Sequence, residues 1–174
     1  MGVAGCGKTT LGRALANELR WRFIEGDDLH PAANVEKMRA GMPLTDADRE
    51  PFLDAVADAI ARERDTGVIA ACSALKHSYR ERLRARAGEL MFVLPRLNRE
   101  TLMKRLEQRD DHFMPASLLE SQLATLEPPQ AGETVIVVDG NAATQAQLAC
   151  VIAALPGEAV HAAPANSAPN GARP

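Results

Sequence analysis

The sequence contains few aromatic residues, few cysteines and little excess charge of either sign. Phe, Trp and Tyr together make up 3% of the 174 residues, so a core must be built mainly from Leu, Val, Ile and Ala. Cys6, Cys72 and Cys150 stand at unrelated spacings, which argues against a paired zinc-ligand pattern and a disulfide framework. A net charge of −3 argues against binding to nucleic acid or to an anionic membrane.

Long apolar runs are also missing. No run approaches the length of a membrane span, and the N-terminus lacks the charged and apolar regions of a signal peptide. We therefore expect a soluble cytoplasmic protein, where a reducing environment suits the free cysteines. Apolar residues at 46% and charged residues at 25% are ordinary for one globular domain.

Short apolar segments alternate with longer helical patterns, which predicts an α/β fold with a parallel sheet and crossover helices. The predicted strands cover residues 22–25, 67–71, 90–94 and 134–138. The predicted helices cover residues 8–19, 31–40, 46–63, 78–87, 99–108, 116–125 and 144–155. Residues 1–155 are expected to form the domain, whereas the Ala/Pro/Asn/Gly-rich residues 156–174 are expected to form a disordered tail.

A phosphate-binding motif, G-x-x-x-x-G-K-[ST], opens the chain and leads directly into the first helix. Its glycines let backbone N–H groups turn towards phosphate oxygens, and the helix N-terminus adds positive potential. We expect Lys8 to reach the β- and γ-phosphates of ATP, Thr9 to ligate Mg²⁺ and Thr10 to assist near the α-phosphate. The loop is Gly2-Val3-Ala4-Gly5-Cys6-Gly7-Lys8-Thr9.

Such a loop ordinarily follows a buried hydrophobic strand, but only Met1 precedes Gly2. We expect that the true start lies upstream, because loss of a central strand would remove a core element and the hydrogen-bonding partner of its neighbours. We expect the absence of this strand to affect the stability of the protein more than its catalytic chemistry.

A second group of polar residues follows the strand at residues 22–25, where open α/β sheets bind ligands. Asp27 suits a general base that accepts the proton of a substrate hydroxyl as that hydroxyl attacks the γ-phosphate. Glu25, two residues earlier, is expected on the same side of the strand and near Mg²⁺. For these acids, helix capping and solvation are the alternative.

Three segments in this order resemble the bacterial gluconate kinases of the thermoresistant type. They are Gly26-Asp27-Asp28-Leu29-His30-Pro31, Cys72-Ser73-Ala74-Leu75-Lys76 and His112-Phe113-Met114-Pro115. The similarity extends from Gly2 to about Leu155. It implies a P-loop fold like that of nucleoside monophosphate kinases, a three-layer sandwich with a mobile lid at about 105–125 and an acceptor-binding region at about 28–60.

The same resemblance implies transfer of the ATP γ-phosphate to the 6-hydroxyl of D-gluconate, and it suggests a homodimer. Two alternatives stay open. The first is a P-loop kinase of another small acceptor, such as shikimate or adenylylsulfate. The second is a non-catalytic nucleotide-binding module, although both Lys8 and Asp27 are present.

Gluconate carries one carboxylate and several hydroxyls, so its pocket needs a cation together with hydrogen-bonding groups. Arg49 and Arg80 suit the carboxylate better than Lys76, because arginine binds carboxylates in a bidentate manner. His30 and Ser73 are candidates for the hydroxyls. For the two arginines and the histidine, an ordinary surface or turn role is the alternative.

Two arginines four residues apart suit a lid over the nucleotide. By similarity to related kinases, Arg105 would stack on adenine and Arg109 would neutralise charge on the transferring phosphoryl group. The alternative is an exposed helix face on which they pair with Glu107 or Asp110.

Overall fold

A computed structural model describes residues 1–108 and 116–156. Four short strands form the sheet region, and seven α-helices surround it in the described part of the chain. The strands are β1 (Arg22–Glu25), β2 (Val68–Ala71), β3 (Phe92–Arg96) and β4 (Val135–Asp139). The helices are α1 (Lys8–Leu19), α2 (Ala32–Arg39), α3 (Asp46–Glu63), α4 (His77–Ala87), α5 (Arg99–Glu107), α6 (Ala116–Thr125) and α7 (Thr144–Ala154).

The α/β class and the parallel pairing predicted from the sequence are confirmed, and the bounds of β1, α1, α3 and α6 match their predictions. The largest shift is in β3, which was expected to end before Pro95. The carbonyl of Val93 accepts a hydrogen bond on the side away from β4, and alternation along the strand places the nitrogen of Pro95 on that same side. A proline there removes no hydrogen bond to β4, so the strand continues to Arg96.

The sheet lies between two helical layers. Ile69 and Val93 pack with α1 and α7, whereas Ala70 and Phe92 pack with the core beneath α3 and α4. Successive strand residues therefore face opposite layers, as the two-residue period of a strand requires. No described helix is long and apolar enough to cross a bilayer.

The sheet is divided into two halves. In the described chain β1 pairs with β2 and β3 pairs with β4, and no ladder joins β2 to β3. The start of the chain bridges them, since Gly2 N–H donates to Ser73 O at 2.9 Å and the Met1 ammonium donates to Val93 O at 2.6 Å. A cavity of about 650 Å³ lies between the halves, and its apolar lining includes Leu11, Leu15, Ile69, Ala70, Phe92 and Val93.

A β-branched segment of five or six residues fused ahead of Met1 is expected to occupy this cavity and to stabilise the protein. It would pair with the open edges of β2 and β3 and would replace the Met1 ammonium, whose pKa burial lowers to about 6, with a neutral peptide N–H. We expect thermal denaturation to show a Tm higher by several degrees, since about 1 kcal/mol corresponds to roughly 2–4 °C at this size. A Gly/Ser extension of equal length is the control, and an equal Tm for both would contradict the prediction.

Candidate active site

The phosphate-binding loop has the backbone conformation that its sequence predicts. Gly5 and Gly7 adopt positive φ angles of 78° and 96°, which only glycine adopts without strain. No side chain caps the N-terminus of α1, so the described chain leaves its first N–H groups available to an anion. The Lys8 ammonium donates to Val3 O within the loop at 3.0 Å. These residues fit a nucleoside triphosphate.

Helix α5 supports the loop from behind. A Cβ added to Gly5 would lie 3.3 Å from the Leu106 side chain, a tighter contact than most side chains make, so the loop packs closely on α5. Arg105 donates to Gly140 O, at the end of β4, at 2.8 Å. One of its guanidinium nitrogens would lie 3.9 Å from a Cβ on Gly7. Arg105 therefore lies between the phosphate-binding loop and the loop after β4.

The turn that carries Asp27 depends on Gly26. Residues Gly26–Leu29 form a 3₁₀ turn at the carboxyl end of β1, and a Cβ on Gly26 would lie 2.2 Å from Ala71 O. Any larger residue would push the turn away from β2. Glu25 is half-buried and Asp27 is exposed, and no described group donates a hydrogen bond to the Asp27 carboxylate.

The phosphate-binding loop and the turn that carries Asp27 both contact the carboxyl end of β2, where Gly2 N–H donates to Ser73 O at 2.9 Å and Gly26 packs against Ala71 O. Burial raises the pKa of the Cys72 thiol to about 11, while the charge of Lys8 lowers it and the charge of Asp27 raises it. The same sheet edge therefore carries the loop of the predicted phosphate-binding lysine and the turn of the predicted general base. The other loop residues Gly2, Val3, Ala4 and Cys6 are buried, Thr9 is half-buried and Thr10 is exposed.

His30 and Arg49 form the next part of the site. The ring of His30 stacks on Phe52 with centroids 3.7 Å apart and planes 8° from parallel. Arg49 is 7% exposed, and its guanidinium lies 6.0 Å from the centre of the Tyr79 ring. No carboxylate or carbonyl in residues 1–108 and 116–156 accepts a hydrogen bond from the Arg49 guanidinium. Arg49 is thus a buried cation whose guanidinium N–H groups donate to no other group among the described residues.

Lys76 also lies near Tyr79, with its ammonium 5.5 Å from the centre of the ring. Its ammonium donates to both Asp46 oxygens at 2.8 and 2.7 Å, and the Tyr79 hydroxyl donates to the same carboxylate. The hydrogen bonds from Lys76 and then from Tyr79 lower the pKa of Asp46. A ligand would have to compete with Asp46 for Lys76. Ser73, half-buried at the end of β2, keeps a free hydroxyl among the described contacts, since only its carbonyl is used.

The structure corrects the expectation for Arg80. Its side chain is fully buried and forms a bidentate ion pair with Glu133 at 2.6 and 2.8 Å. Its remaining nitrogen donates to Ala74 O at 3.3 Å, to Leu75 O at 3.1 Å and to Glu127 O at 3.4 Å. These acceptors occupy all the guanidinium nitrogens, so Arg80 holds the loop after β2 and does not contact a ligand.

Two contacts escaped the sequence-based reasoning. Asn34 is 3% exposed, and its amide joins His30 to the Asp48 carbonyl. The i, i+4 spacing of His30 and Asn34 was the available signal. Gln122 of α6 accepts a hydrogen bond from Ala4 N–H at 2.7 Å, a contact across 118 residues that no local pattern indicates. Arg109 and His112-Phe113-Met114-Pro115 lie outside the described residues, as do residues 157–174 of the predicted tail.

Comparisons with known proteins identify the family of the chain. The family model described as shikimate kinase matches residues 4–153. The gluconokinase of Gluconobacter oxydans is 53% identical over 143 residues, which cover 81% of this chain and 80% of that protein. The thermosensitive gluconokinase of Escherichia coli is 46% identical over 140 residues, with coverage of 79% and 74%.

A solved structure gives the same result. The crystal structure of a gluconokinase from Sinorhizobium meliloti aligns with a TM-score of 0.79 at 43% identity, covering 88% of this chain and 87% of that one. This match supports the nucleoside-monophosphate-kinase-like fold that the sequence predicts. The chain belongs to the gluconokinase family, within the group of P-loop kinases that the shikimate kinase model describes.

Proposed function

We propose that the protein transfers the γ-phosphate of ATP to the 6-hydroxyl of D-gluconate, giving 6-phospho-D-gluconate and ADP in the cytoplasm. The observation that carries this proposal is that the phosphate-binding loop and the turn of Asp27 meet at the carboxyl end of β2, where Gly2 donates to Ser73 O and Gly26 packs against Ala71 O. A phosphate-binding lysine and an unpaired carboxylate at one sheet edge suit phosphoryl transfer to an alcohol. The gluconokinases among its relatives point to gluconate as that alcohol.

ATP would be bound by the backbone N–H groups of Gly5, Gly7 and Lys8, from which no other described group accepts a hydrogen bond, and by the Lys8 ammonium. For that, the Lys8 ammonium exchanges its hydrogen bond to Val3 O for phosphate oxygens, which offer a stronger charge-assisted bond. Thr10 would assist beside the phosphates. Arg105, between the loop and Gly140, suits a stacking contact with adenine.

Thr9 and Glu25 would hold Mg²⁺, because a hydroxyl and a carboxylate are oxygen donors of the kind this ion prefers. Bound there, the ion would supply positive charge to neutralise the phosphates. Arg109 would add a second charge from the lid; this role remains a prediction for a residue outside the described chain.

Gluconate would lie between Asp27 and Arg49. The unused donors of Arg49 suit a carboxylate, and His30 and Ser73 suit hydroxyls. Asp27 would accept the proton of the 6-hydroxyl while the hydroxyl oxygen forms its bond to the γ-phosphorus. The bond from that phosphorus to the bridging oxygen breaks at the same time, and ADP leaves with the electron pair. Lys76, held by Asp46, is the weaker candidate for the carboxylate.

An ADP-release assay over a panel of acceptors tests the proposal. The panel contains gluconate, related sugar acids, glycerate, adenylylsulfate and shikimate, the last because the matching family model bears the name of shikimate kinase. We expect the highest kcat/KM with gluconate. Gluconate activity equal to the background ATPase, or a higher kcat/KM with shikimate, would contradict the proposal.

Arg49→Lys is expected to raise the KM for gluconate by about tenfold or more while leaving the KM for ATP unchanged. Lysine keeps the charge but loses the planar pair of donors, and a hydrogen bond to a charged group contributes about 1.5–3 kcal/mol. Steady-state kinetics with each substrate varied in turn measures both constants. Arg13→Lys, at an exposed position on α1, is the control and should change neither. An unchanged KM for gluconate in Arg49→Lys would remove Arg49 as the anchor.

A further inference from the structure

His30 occupies a restricted position beside the proposed general base. Its ring is held flat on Phe52, and burial lowers its pKa, with the charge of Asp27 raising it and that of Arg49 lowering it. A lowered pKa favours the neutral ring near pH 7. A neutral imidazole has one donor nitrogen and one acceptor nitrogen, and a ligand meets one or the other.

The amide of Asn34 decides which nitrogen is the donor. Asn34 Nδ2 donates to the carbonyl oxygen of Asp48 at 2.7 Å. Because a carbonyl can only accept, this contact fixes the amide with its NH₂ group on the side of α3. The same NH₂ group lies 3.4 Å from His30 Nδ1, a contact that suits acceptance by Nδ1 and so favours the ring proton on Nε2.

We infer that Asn34 is a positioning residue, which holds His30 as the neutral Nε2–H tautomer so that it donates to a hydroxyl oxygen of the acceptor. This inference rests on the proposed function for its ligand. The Asp27 carboxylate can only accept hydrogen bonds, and the Arg49 guanidinium can only donate them. With His30 as a further donor, one hydroxyl of the acceptor can accept from His30 while another hydroxyl donates to Asp27. The arrangement suits a polyol and would disfavour an acceptor that lacks a hydroxyl at that place.

The tautomer can be measured without any substrate. In ¹⁵N-histidine-labelled protein, long-range ¹H–¹⁵N correlation spectra distinguish a protonated from an unprotonated ring nitrogen, and His30→Gln assigns the signal among the four histidines. At pH 7 we expect His30 to show a protonated Nε2 and an unprotonated Nδ1. A protonated Nδ1 at pH 7, as the other tautomer or as imidazolium, would overturn the inference.

Asn34→Asp tests the consequence for binding. A carboxylate at this position can only accept, so it should move the proton of His30 to Nδ1, raise the pKa of His30 and leave Nε2 as an acceptor. We expect the KM for gluconate to rise about tenfold with little change in the KM for ATP. Lys37→Met is the matched control, because it breaks the neighbouring contact of α2 with Asp48 without touching His30, and it should leave tautomer and KM unchanged.

The outcomes separate this inference from the proposed function. An unchanged tautomer in Asn34→Asp, or an equal rise of KM in Lys37→Met, would show that Asn34 is only structural. If Asn34→Asp does not fold, the spectrum of the wild-type protein still decides the tautomer. If the protein shows no activity with gluconate but His30 is the Nε2–H tautomer, the assignment of gluconate as substrate is wrong. The inference that Asn34 positions His30 then still holds.

Discussion

Replacing Asp27 with Asn is expected to lower kcat with gluconate by about 10²- to 10⁴-fold, the range that a general base contributes. Asparagine keeps the size of the side chain but cannot accept the proton of the attacking hydroxyl. Because Asp27 lies in the turn after β1 rather than in the phosphate-binding loop, the affinity for ATP should be nearly unchanged. Single-turnover kinetics for the chemical step and equilibrium titration with ATP measure the two effects separately.

Asp28→Asn provides the matched control for this change. Asp28 is the next residue of the same exposed 3₁₀ turn, so the two variants alter local charge and solvation equally. We expect Asp28→Asn to retain most of the wild-type kcat. A wild-type kcat in Asp27→Asn, or an equal loss in both variants, would contradict the assignment of Asp27 as the base.

Replacing Arg80 with Met is expected to lower the free energy of unfolding by about 3–5 kcal/mol, because it leaves the Glu133 carboxylate buried without its partner. Glu133 has a side chain that is 2% exposed, and the carbonyl oxygens of Ala74 and Leu75 would lose their donor as well. The loss is large beside the 5–15 kcal/mol that stabilises a typical domain. Chemical denaturation of the wild type and the variant measures it.

Arg86→Met is the control for this prediction. Arg86 lies on the same helix and pairs with Asp58, but the pair is about half exposed, and exposed pairs contribute roughly 0–1 kcal/mol. A small loss in both variants would contradict a structural role for Arg80. A large fall in kcat for Arg80→Met under conditions where the variant remains folded would instead indicate that Arg80 takes part in substrate binding or catalysis.

The Arg80 pair also predicts a dependence on pH. The hydrogen bonds from Arg80 lower the pKa of Glu133 from its ordinary 4.5 to about 2. Since the folded pKa is the lower one, the pair stabilises the protein fully above about pH 4.5, and this contribution is lost as the pH falls towards 2. The difference in unfolding free energy between wild type and Arg80→Met should therefore shrink over that interval.

The helices and the phosphate-binding loop could be predicted from the sequence because their determinants are local. The bounds of α1 and α3 follow from Gly7 at the start of one helix and from the capping box of Thr45 and Asp48 at the start of the other. The glycine spacing of the loop likewise fixes its backbone.

Long-range pairing of charges could not be predicted. Arg80 and Glu133 are 53 residues apart, and a helix pattern rich in arginine gives no indication which one is buried. Arg49 shows the reverse case, since nothing local indicates that α3 buries a cation beside Tyr79. The fold decides which of the two arginines keeps unused side-chain donors in the described chain, and this is why we propose Arg49 rather than Arg80 for the acceptor site.

Identification of the product tests the proposed reaction most directly. The protein is incubated with ATP, Mg²⁺ and D-gluconate, and the phosphorus signal of the product is recorded without proton decoupling. Transfer to the 6-hydroxyl places the phosphoryl group on a CH₂ carbon, so we predict a phosphomonoester signal split into a triplet, absent when gluconate is omitted and strongly reduced with Asp27→Asn. A doublet, which marks a secondary hydroxyl, or inorganic phosphate as the only new signal would contradict it.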